Sequence, residues 1–143
     1  MKTQRLLLFL ILLPLQLCAA VAPENLAVGD WVFRAGTGRE SALIGYLDGG
    51  EYSHIGIVVA VAPEIRIVHA TTDDDPAHPN QVIASSFAEF SAPQLAGKIA
   101  AARPAFLNES ERAQLAAAVA RHLGDPFHLT ARDQSPRYCT TII

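Results

Sequence analysis

The sequence is poor in cysteine, in basic residues and in long hydrophobic runs. Its 143 residues include two cysteines, Cys18 and Cys139, so a small domain held together by several disulfides is excluded. Eleven Lys and Arg stand against 14 Asp and Glu without a basic patch, which argues against nucleic acid as a partner. A chain of this length suits one domain with one core, and no internal repeat or linker divides it.

One apolar run, residues 6–13, stands near the N-terminus and is too short to span a bilayer, which needs about 20 apolar residues. Two basic residues precede this run and small residues at 18–22 follow it, an order typical of a secretory signal peptide. We therefore predict that residues 1–22 are a signal peptide cleaved after Ala20 or Ala22, with an uncleaved anchor helix as the alternative. The protein would then be secreted or periplasmic and would meet a membrane only during export.

Removal of this leader leaves Cys139 as a single thiol. In an oxidising compartment a lone cysteine is an intermolecular bridge, a buried small hydrophobic residue or a reactive group. Ser135 and Pro136 before it are typical of a helix start, and the positive end of a helix dipole lowers the pKa of a thiol from about 8.5 to roughly 3.5–7.5. Cys139 is therefore either a nucleophile or an inert thiol.

Hydrophobic periodicity predicts an α+β fold over residues 23–143. Strands are predicted at 31–33, 52–61, 65–70, 81–84 and 98–103, and helices at 39–47, 86–90 and 109–123. The last helix has the clearest signals, because Asn108 and Glu111 can form a capping box and Gly124 can terminate the helix. Its apolar side is expected to carry Leu115, Val119 and Leu123. This order of elements predicts a mostly antiparallel sheet packed with helices.

Two of the five histidines lie on neighbouring predicted strands. His54 leads into the apolar run that ends at residue 61, and alternation places His69 on one face with Ile65 and Ile67. If His54 and His69 pair directly in a hairpin, their Cβ atoms are about 4.5–5.5 Å apart. Pro63-Glu64 hints that the turn is centred later, and a one-residue slip of the register would put the rings on opposite faces. The other three are expected to be solvated or structural: His78, His122 and His128.

Other kinds of site fit the sequence less well. The run Asp73–Asp75 lacks the glycine and the glutamate that an EF-hand calcium loop requires. A serine-hydrolase elbow needs a glycine frame, which is missing around Ser85, Ser86 and Ser135. Zinc remains an alternative, since an acceptable ligand set exists in His54, His69 and Cys139.

Five segments carry a resemblance to a known family, in the order of that family: Gly29–Phe33, Tyr52–Val58, Ile67–Ala70, Gly124–Phe127 and Tyr138–Thr140. On these segments the chain resembles a circularly permuted papain-like cysteine hydrolase. It is most similar to the YiiX-like (YaeF/YebB-type) branch of the NlpC-type superfamily. The histidine of the Ser-His-Ile-Gly-Ile segment precedes the cysteine of the Tyr-Cys segment, whereas unpermuted relatives carry the cysteine first.

The resemblance implies a cysteine hydrolase that cleaves an amide or ester bond through a thioester and needs no cofactor or metal. Cys139 would be the nucleophile, His54 the general base and His69 the group that orients the base. The backbone N–H of Cys139 would help to bind the oxyanion. Unpermuted members cut peptides in bacterial cell walls, and permuted relatives such as lecithin:retinol acyltransferase-like proteins act on lipid esters. The expected substrate is therefore a small peptide, a peptidoglycan-derived fragment or a lipid.

Two features depart from the family's pattern. Thr141 stands where the family usually has an acidic residue. The helix that begins at the cysteine usually continues for several turns, whereas the sequence ends at Ile143. Either the sequence is a fragment of a longer domain or the site is incomplete, and a catalytically inactive binding module is the alternative function.

Overall fold

Five strands form one antiparallel sheet in the computed structural model, which describes residues 21–127. The strands are β1 (Trp31–Gly36), β2 (His54–Ala60), β3 (Arg66–Thr71), β4 (Gln81–Ser86) and β5 (Ala96–Ala102), in the spatial order β4-β3-β2-β1-β5. The helices are α1 (Arg39–Asp48), α2 (Phe87–Phe90) and α3 (Glu109–Ala120). The predicted α+β class with an antiparallel sheet is confirmed. Within residues 21–127, no helix has the length and apolar character needed to cross a membrane.

Several sequence predictions lie outside the described residues. The signal peptide falls there apart from Val21 and Ala22, and so do His128 and the segment that contains Ser135 and Cys139. The leader and the thiol therefore stay predictions.

One face of the sheet packs against α3 and is here called the α3 face. Its buried cluster is wholly apolar and consists of Ile57, Val68, Ala70, Val82, Ala116 and Val119. Helix α3 begins with the predicted capping box, in which the Asn108 side chain accepts from the Glu111 N–H and the Glu111 carboxylate accepts from the Asn108 N–H. The N-terminal signal of this helix is therefore confirmed.

The predicted apolar line of α3 is wrong at its last position. The helix ends at Ala120, and the side chain of Leu123 is 46% exposed in the turn that follows. The cause is the pairing of the next residues with β4: the Gly124 N–H donates to the Val82 carbonyl and the Val82 N–H donates to the Asp125 carbonyl. These bonds turn the chain away from the helix axis before Leu123 can reach the sheet.

The opposite face carries α2 and is here called the α2 face. Its apolar cluster consists of Leu26, Val32, Val58, Ile67 and Phe90. The short α2 forms where a single turn was predicted, because Ser86 and Glu89 make a capping box at its start. This turn sets the fully buried ring of Phe90 against the sheet.

The register of β2 and β3 differs by two residues from the one that would make His54 and His69 direct partners. Ile57 pairs with Val68, and the same register places His69 opposite Gly56. Direct opposition of the histidines is therefore wrong. Side chains alternate with a period of two residues, so a shift of two leaves both histidines on the α2 face.

The Gly29-Asp30 turn before β1 is a structural corner. Gly29 has φ +84°, and a Cβ there would lie 2.4 Å from the Cβ of Arg112, so this position requires glycine. The buried Asp30 carboxylate accepts from the Ala27 N–H and from Arg103 at 2.8 Å through each oxygen. Burial raises the pKa of Asp30, but the hydrogen bonds from Arg103 and Ala27 outweigh it and hold the pKa below its ordinary value.

Candidate functional site

A continuous chain of hydrogen bonds joins three side chains across the α2 face. The Nε2 of His54 lies 2.9 Å from the Nδ1 of His69, and the Nε2 of His69 lies 2.9 Å from the Oγ of Ser85. The two imidazole planes cross at 85° with ring centroids 5.0 Å apart. The two rings therefore meet on one face, although they are not direct cross-strand partners. We call His54 and His69 the histidine pair.

Gly56 gives the histidine pair its space. A Cβ at this position would lie 2.5 Å from Cγ2 of Ile67, 3.2 Å from Cβ of His69 and 3.3 Å from Cε2 of Phe90. The absence of a side chain at Gly56 therefore lets the ring of Phe90 pack directly against the two imidazole rings. This is the physical reason for the glycine in the Ser-His-Ile-Gly segment.

Phe90 fixes the orientation of both imidazoles. Its ring stacks on His54 with centroids 5.7 Å apart and planes inclined at 28°, and it meets His69 nearly edge-on at 5.0 Å. These contacts cover the pair from the side of α2. The rings can therefore rotate little without displacing a fully buried phenyl group.

A buried ion pair lies against the histidines. Arg34 is the direct cross-strand partner of His54, and its NH2 lies 2.7 Å from Oδ2 of Asp74. The guanidinium also donates from NH1 to the Phe90 carbonyl at 3.2 Å and lies over the Phe90 ring at 4.9 Å. The side chains of Arg34 and Asp74 are 5% and 8% exposed, and Oδ2 of Asp74 is also 3.8 Å from Nδ1 of His69.

The geometry of that ion pair leaves hydrogen-bonding capacity unused. The contact between NH2 of Arg34 and Oδ2 of Asp74 is an ion pair. Among residues 21–127, neither Nε of Arg34 nor Oδ2 of Asp74 has a hydrogen-bond partner. The carboxylate oxygen therefore retains a lone pair for another donor.

Both histidines are neutral at neutral pH. Burial lowers the pKa of His54 well below its ordinary value, and the charges of His69 and Arg34 lower it further. Burial likewise lowers the pKa of His69 to about 4, with Asp74 opposing this effect and Arg34 adding to it. If His54 donates from Nε2 to His69, its Nδ1 carries an unprotonated lone pair. In that tautomer His54 can act as a base, and His69 donates from Nε2 to Ser85.

His54 borders a cavity of about 820 Å³ beneath the first turns of α1. This volume lies in the range of small-molecule sites, which is about 300–1,000 Å³. Much of the wall is apolar and is formed by Phe33, Ile44, Tyr52, Ile55, Leu95 and Phe127. Ser85 and Asp74 border a second groove of about 700 Å³, so the hydrogen-bonded chain leads from one cavity toward the other.

A metal at this site would have to displace existing interactions. One ligand atom each from His54, His69 and Asp74 lies within 4.8 Å of the others. However, the two imidazole nitrogens already share a hydrogen bond, and Arg34 brings a positive charge against the carboxylate. Zinc requires a free lone pair on each nitrogen at about 2.0–2.1 Å. The described residues therefore favour a proton-transfer site over a cation site, and Cys139 of the zinc alternative lies outside them.

The remaining histidines of the described chain stand where the sequence predicts. Nδ1 of His78 lies 2.7 Å from Oδ2 of Asp75, and Nδ1 of His122 lies 2.9 Å from Oδ2 of Asp125. Each makes a local contact with an acidic residue three positions away, at the surface of the protein.

Sequence reasoning missed four members of the site, namely Arg34, Asp74, Ser85 and Phe90. A signal exists for Arg34, because alternation with the buried Val32 on β1 places both on one face. Asp74 lies in a polar loop between two other aspartates, and no periodicity distinguishes it there.

Comparison with protein-family models, with curated proteins and with solved structures finds no match for this chain. The resemblance to permuted papain-like hydrolases therefore rests on the sequence segments, and the site rests on its geometry.

Proposed function

We propose that this protein is an exported cysteine hydrolase of the circularly permuted papain-like type, from the YiiX-like branch of the NlpC-type superfamily. The observation that carries the proposal is a neutral imidazole at a cavity wall, held by a second imidazole and a hydroxyl. In support, His54 borders the cavity and contacts His69, as a general base and the group that orients it would.

The proposed reaction is acyl transfer to Cys139 followed by hydrolysis. The thiol proton moves to Nδ1 of His54, and the sulfur attacks the carbonyl carbon of an amide or ester. The bond from that carbon to the leaving nitrogen or oxygen then breaks, and the leaving group takes the proton from His54. Water finally attacks the thioester with His54 again as the base, which releases the acid and restores the thiol.

The position of the chain after α3 is compatible with a role for Cys139. Phe127 lines the same cavity as His54, and Cys139 follows it by twelve residues. An extended chain spans up to about 3.3–3.6 Å per residue, so sequence distance does not prevent the thiol from reaching the histidine.

The cavity favours a substrate with an apolar part. Amide cleavage in peptides or peptidoglycan-derived fragments of the cell envelope is the leading reaction. A lipid acyl hydrolase or acyltransferase is the second candidate, because apolar side chains such as Phe33, Ile55 and Leu95 line the space next to His54. Acyl release from peptide and lipid substrates, measured side by side, distinguishes the two.

Alkylation of Cys139 by iodoacetamide tests the proposal. In the exported protein the pH dependence of the rate should have its inflection well below the value of about 8.5 for a free thiol. His54→Ala should move the inflection to about 8.5, because the group that takes the thiol proton is lost. His122→Ala is the matched control and should leave the profile unchanged, since its imidazole contacts Asp125 at the surface. A native thiol that titrates near 8.5 and ignores His54→Ala would make the protein a binding module.

A further inference from the structure

The charged groups around the histidine pair come from few elements. Arg34 of β1 is the strand partner of His54 and pairs with Asp74 of the loop after β3, whose Oδ2 lies 3.8 Å from Nδ1 of His69, while Arg39 and Asp73 border the cavity. From β4 the pair meets the neutral hydroxyl of Ser85, and from α2 it meets the ring of Phe90. The Glu89 carboxylate of α2 is bound to Ser86 and borders the second groove. Two opposite charges therefore dominate the surroundings of the pair.

We propose that Arg34 and Asp74 are positioning residues that set the charge of the histidine pair. Arg34 adds to the effect of burial that keeps both rings neutral at rest, and Asp74 is the counter-ion of the positive charge that forms when the pair takes up a proton. The source of that proton, the thiol of Cys139, rests on the proposed function. The effect of the two charges on the rings does not.

Arg34 can play this part because its guanidinium is charged and fixed. Asp74, the Phe90 carbonyl and the Phe90 ring hold it from three directions, next to the strand position of His54. A like charge within about 4–6 Å disfavours protonation of an imidazole. The rings therefore stay in the unprotonated state that a base requires.

Asp74 can respond to a proton because its Oδ2 lies between the cationic Arg34 and the neutral ring of His69. That oxygen is 2.7 Å from Arg34 and 3.8 Å from Nδ1 of His69, and it makes no hydrogen bond within residues 21–127. When a proton reaches Nδ1 of His54, the positive charge is shared through the Nε2–H to His69. The carboxylate then lies beside a positively charged histidine pair in a buried, low-dielectric setting, where such an attraction is strong. The proton later leaves with the departing group, and the resting charges return.

The test measures the histidine ring signals of the exported protein by NMR as a function of pH. Arg34→Gln should raise the pKa of the histidine pair by about one unit or more, because the repelling cation is gone and the carboxylate remains. Asp74→Asn should lower it, so that the pair is still neutral at a pH where the native pair is half protonated. Arg34→Gln with Asp74→Asn should return the titration toward the native one. The ring signals of His122, which contacts Asp125 away from the site, serve as the internal reference.

Folding is monitored in the same spectra. Loss of one partner of a buried ion pair costs about 3–5 kcal/mol, so Arg34→Lys is included as a variant that keeps the cation and should titrate like the native protein. If Arg34→Gln does not fold, the isosteric Asp74→Asn decides the sign alone. The proposal would be overturned if both single variants shifted the pKa of the histidine pair in the same direction. It would also be overturned if folded Asp74→Asn had a histidine-pair pKa equal to or above that of the native protein. Opposite shifts without any effect of His54→Ala on Cys139 alkylation would support the charge-setting pair and reject the hydrolase.

Discussion

The two faces of the sheet are both buried, but with different chemistry. The α3 face is covered by an apolar cluster in which Ile57, Val68 and Val119 pack by shape and have no side-chain hydrogen bonds to form. The α2 face divides into two halves under Phe90. One half is apolar and contains Val32 and Ile67, and the other contains the histidine pair with its ion pair. The same central strands therefore carry a dry core on one side and a buried polar network on the other.

The difference shows how the fold can hold a reactive group without loosening. Apolar burial contributes about 25 cal/mol per Å² whatever the partner, whereas a buried polar group is tolerated only when its hydrogen bonds are made. Apolar burial on the α3 face can therefore stabilise the fold, while the α2 face provides hydrogen bonds to the buried polar groups of the site. Because β2 belongs to both faces, His54 stands on a strand that the apolar side keeps rigid.

The largest effects are expected at two adjacent positions of β2 that point to opposite faces. Ile57→Ala removes a fully buried side chain from the α3 face and should lower the free energy of unfolding by about 2–5 kcal/mol. The NMR titration of the histidine pair should stay as in the native protein, because the space left by the Ile57 side chain lies on the opposite face of the sheet from the pair. Chemical denaturation measures the first quantity.

Gly56→Ala is the matched change on the α2 face. The added methyl group meets Ile67, His69 and Phe90 at distances too short for ordinary contact, so the free energy of unfolding should fall by about 1–3 kcal/mol. Here the titration of the histidine pair should change as well, because Phe90 must move away from both rings. If Ile57→Ala changed the titration of the histidine pair and Gly56→Ala did not, the claim that the two faces have separate roles would be wrong.

Much of the fold was predictable from local patterns. The capping box at Asn108 and the continuous apolar run of β2 depend on residues close together in the sequence, and the structure confirms the elements that they predict. The end of α3 was not predictable in this way. It depends on hydrogen bonds between Gly124, Asp125 and Val82 of β4, which stands far away in the sequence.

The site was predictable only in part, for the same reason. Side chains alternate between the faces of a strand, and this is a local property of the sequence. A register shift of two residues therefore leaves His54 and His69 on the same face. The partners of the pair come from four other places in the chain. The contact of Asp74 with Arg34 depends on the path of a polar loop, for which the sequence contains no periodic signal.

The two faces should also differ in how their stability depends on pH. The pKa values of the two histidines are lowered on folding, His69 to about 4, so the unfolded chain binds more protons below its histidine pKa of about 6.5. Stability is fully present above that pH and should fall as the pH decreases toward about 4. The slope contributed by each histidine is at most about 1.4 kcal/mol per pH unit. Denaturation midpoints measured at intervals between pH 7 and 4 give this slope.

His69→Gln should flatten the slope in that window, because one of the two depressed titrations disappears. Asp30→Asn is the control: the folded pKa of Asp30 is also lowered, but from the carboxylate value of 3.8. Its pH-dependent contribution is therefore present above that value and is lost only at lower pH. An equally steep slope in His69→Gln would show that the acid sensitivity arises outside the histidine pair.

The smallest expected effect concerns the start of the exported chain and the apolar half of the α2 face. Val21 is partly buried against the cluster that contains Leu26 and Val32, so cleavage after Ala20 retains this contact and cleavage after Ala22 removes it. We expect an intact mass that begins at Val21 for protein recovered after export. A chain that begins at Pro23 should be less stable by under about 1 kcal/mol, because it loses one partly buried valine. Recovery of soluble protein that still carries Met1 would refute export, and with it the argument that Cys139 is the single thiol of the working protein.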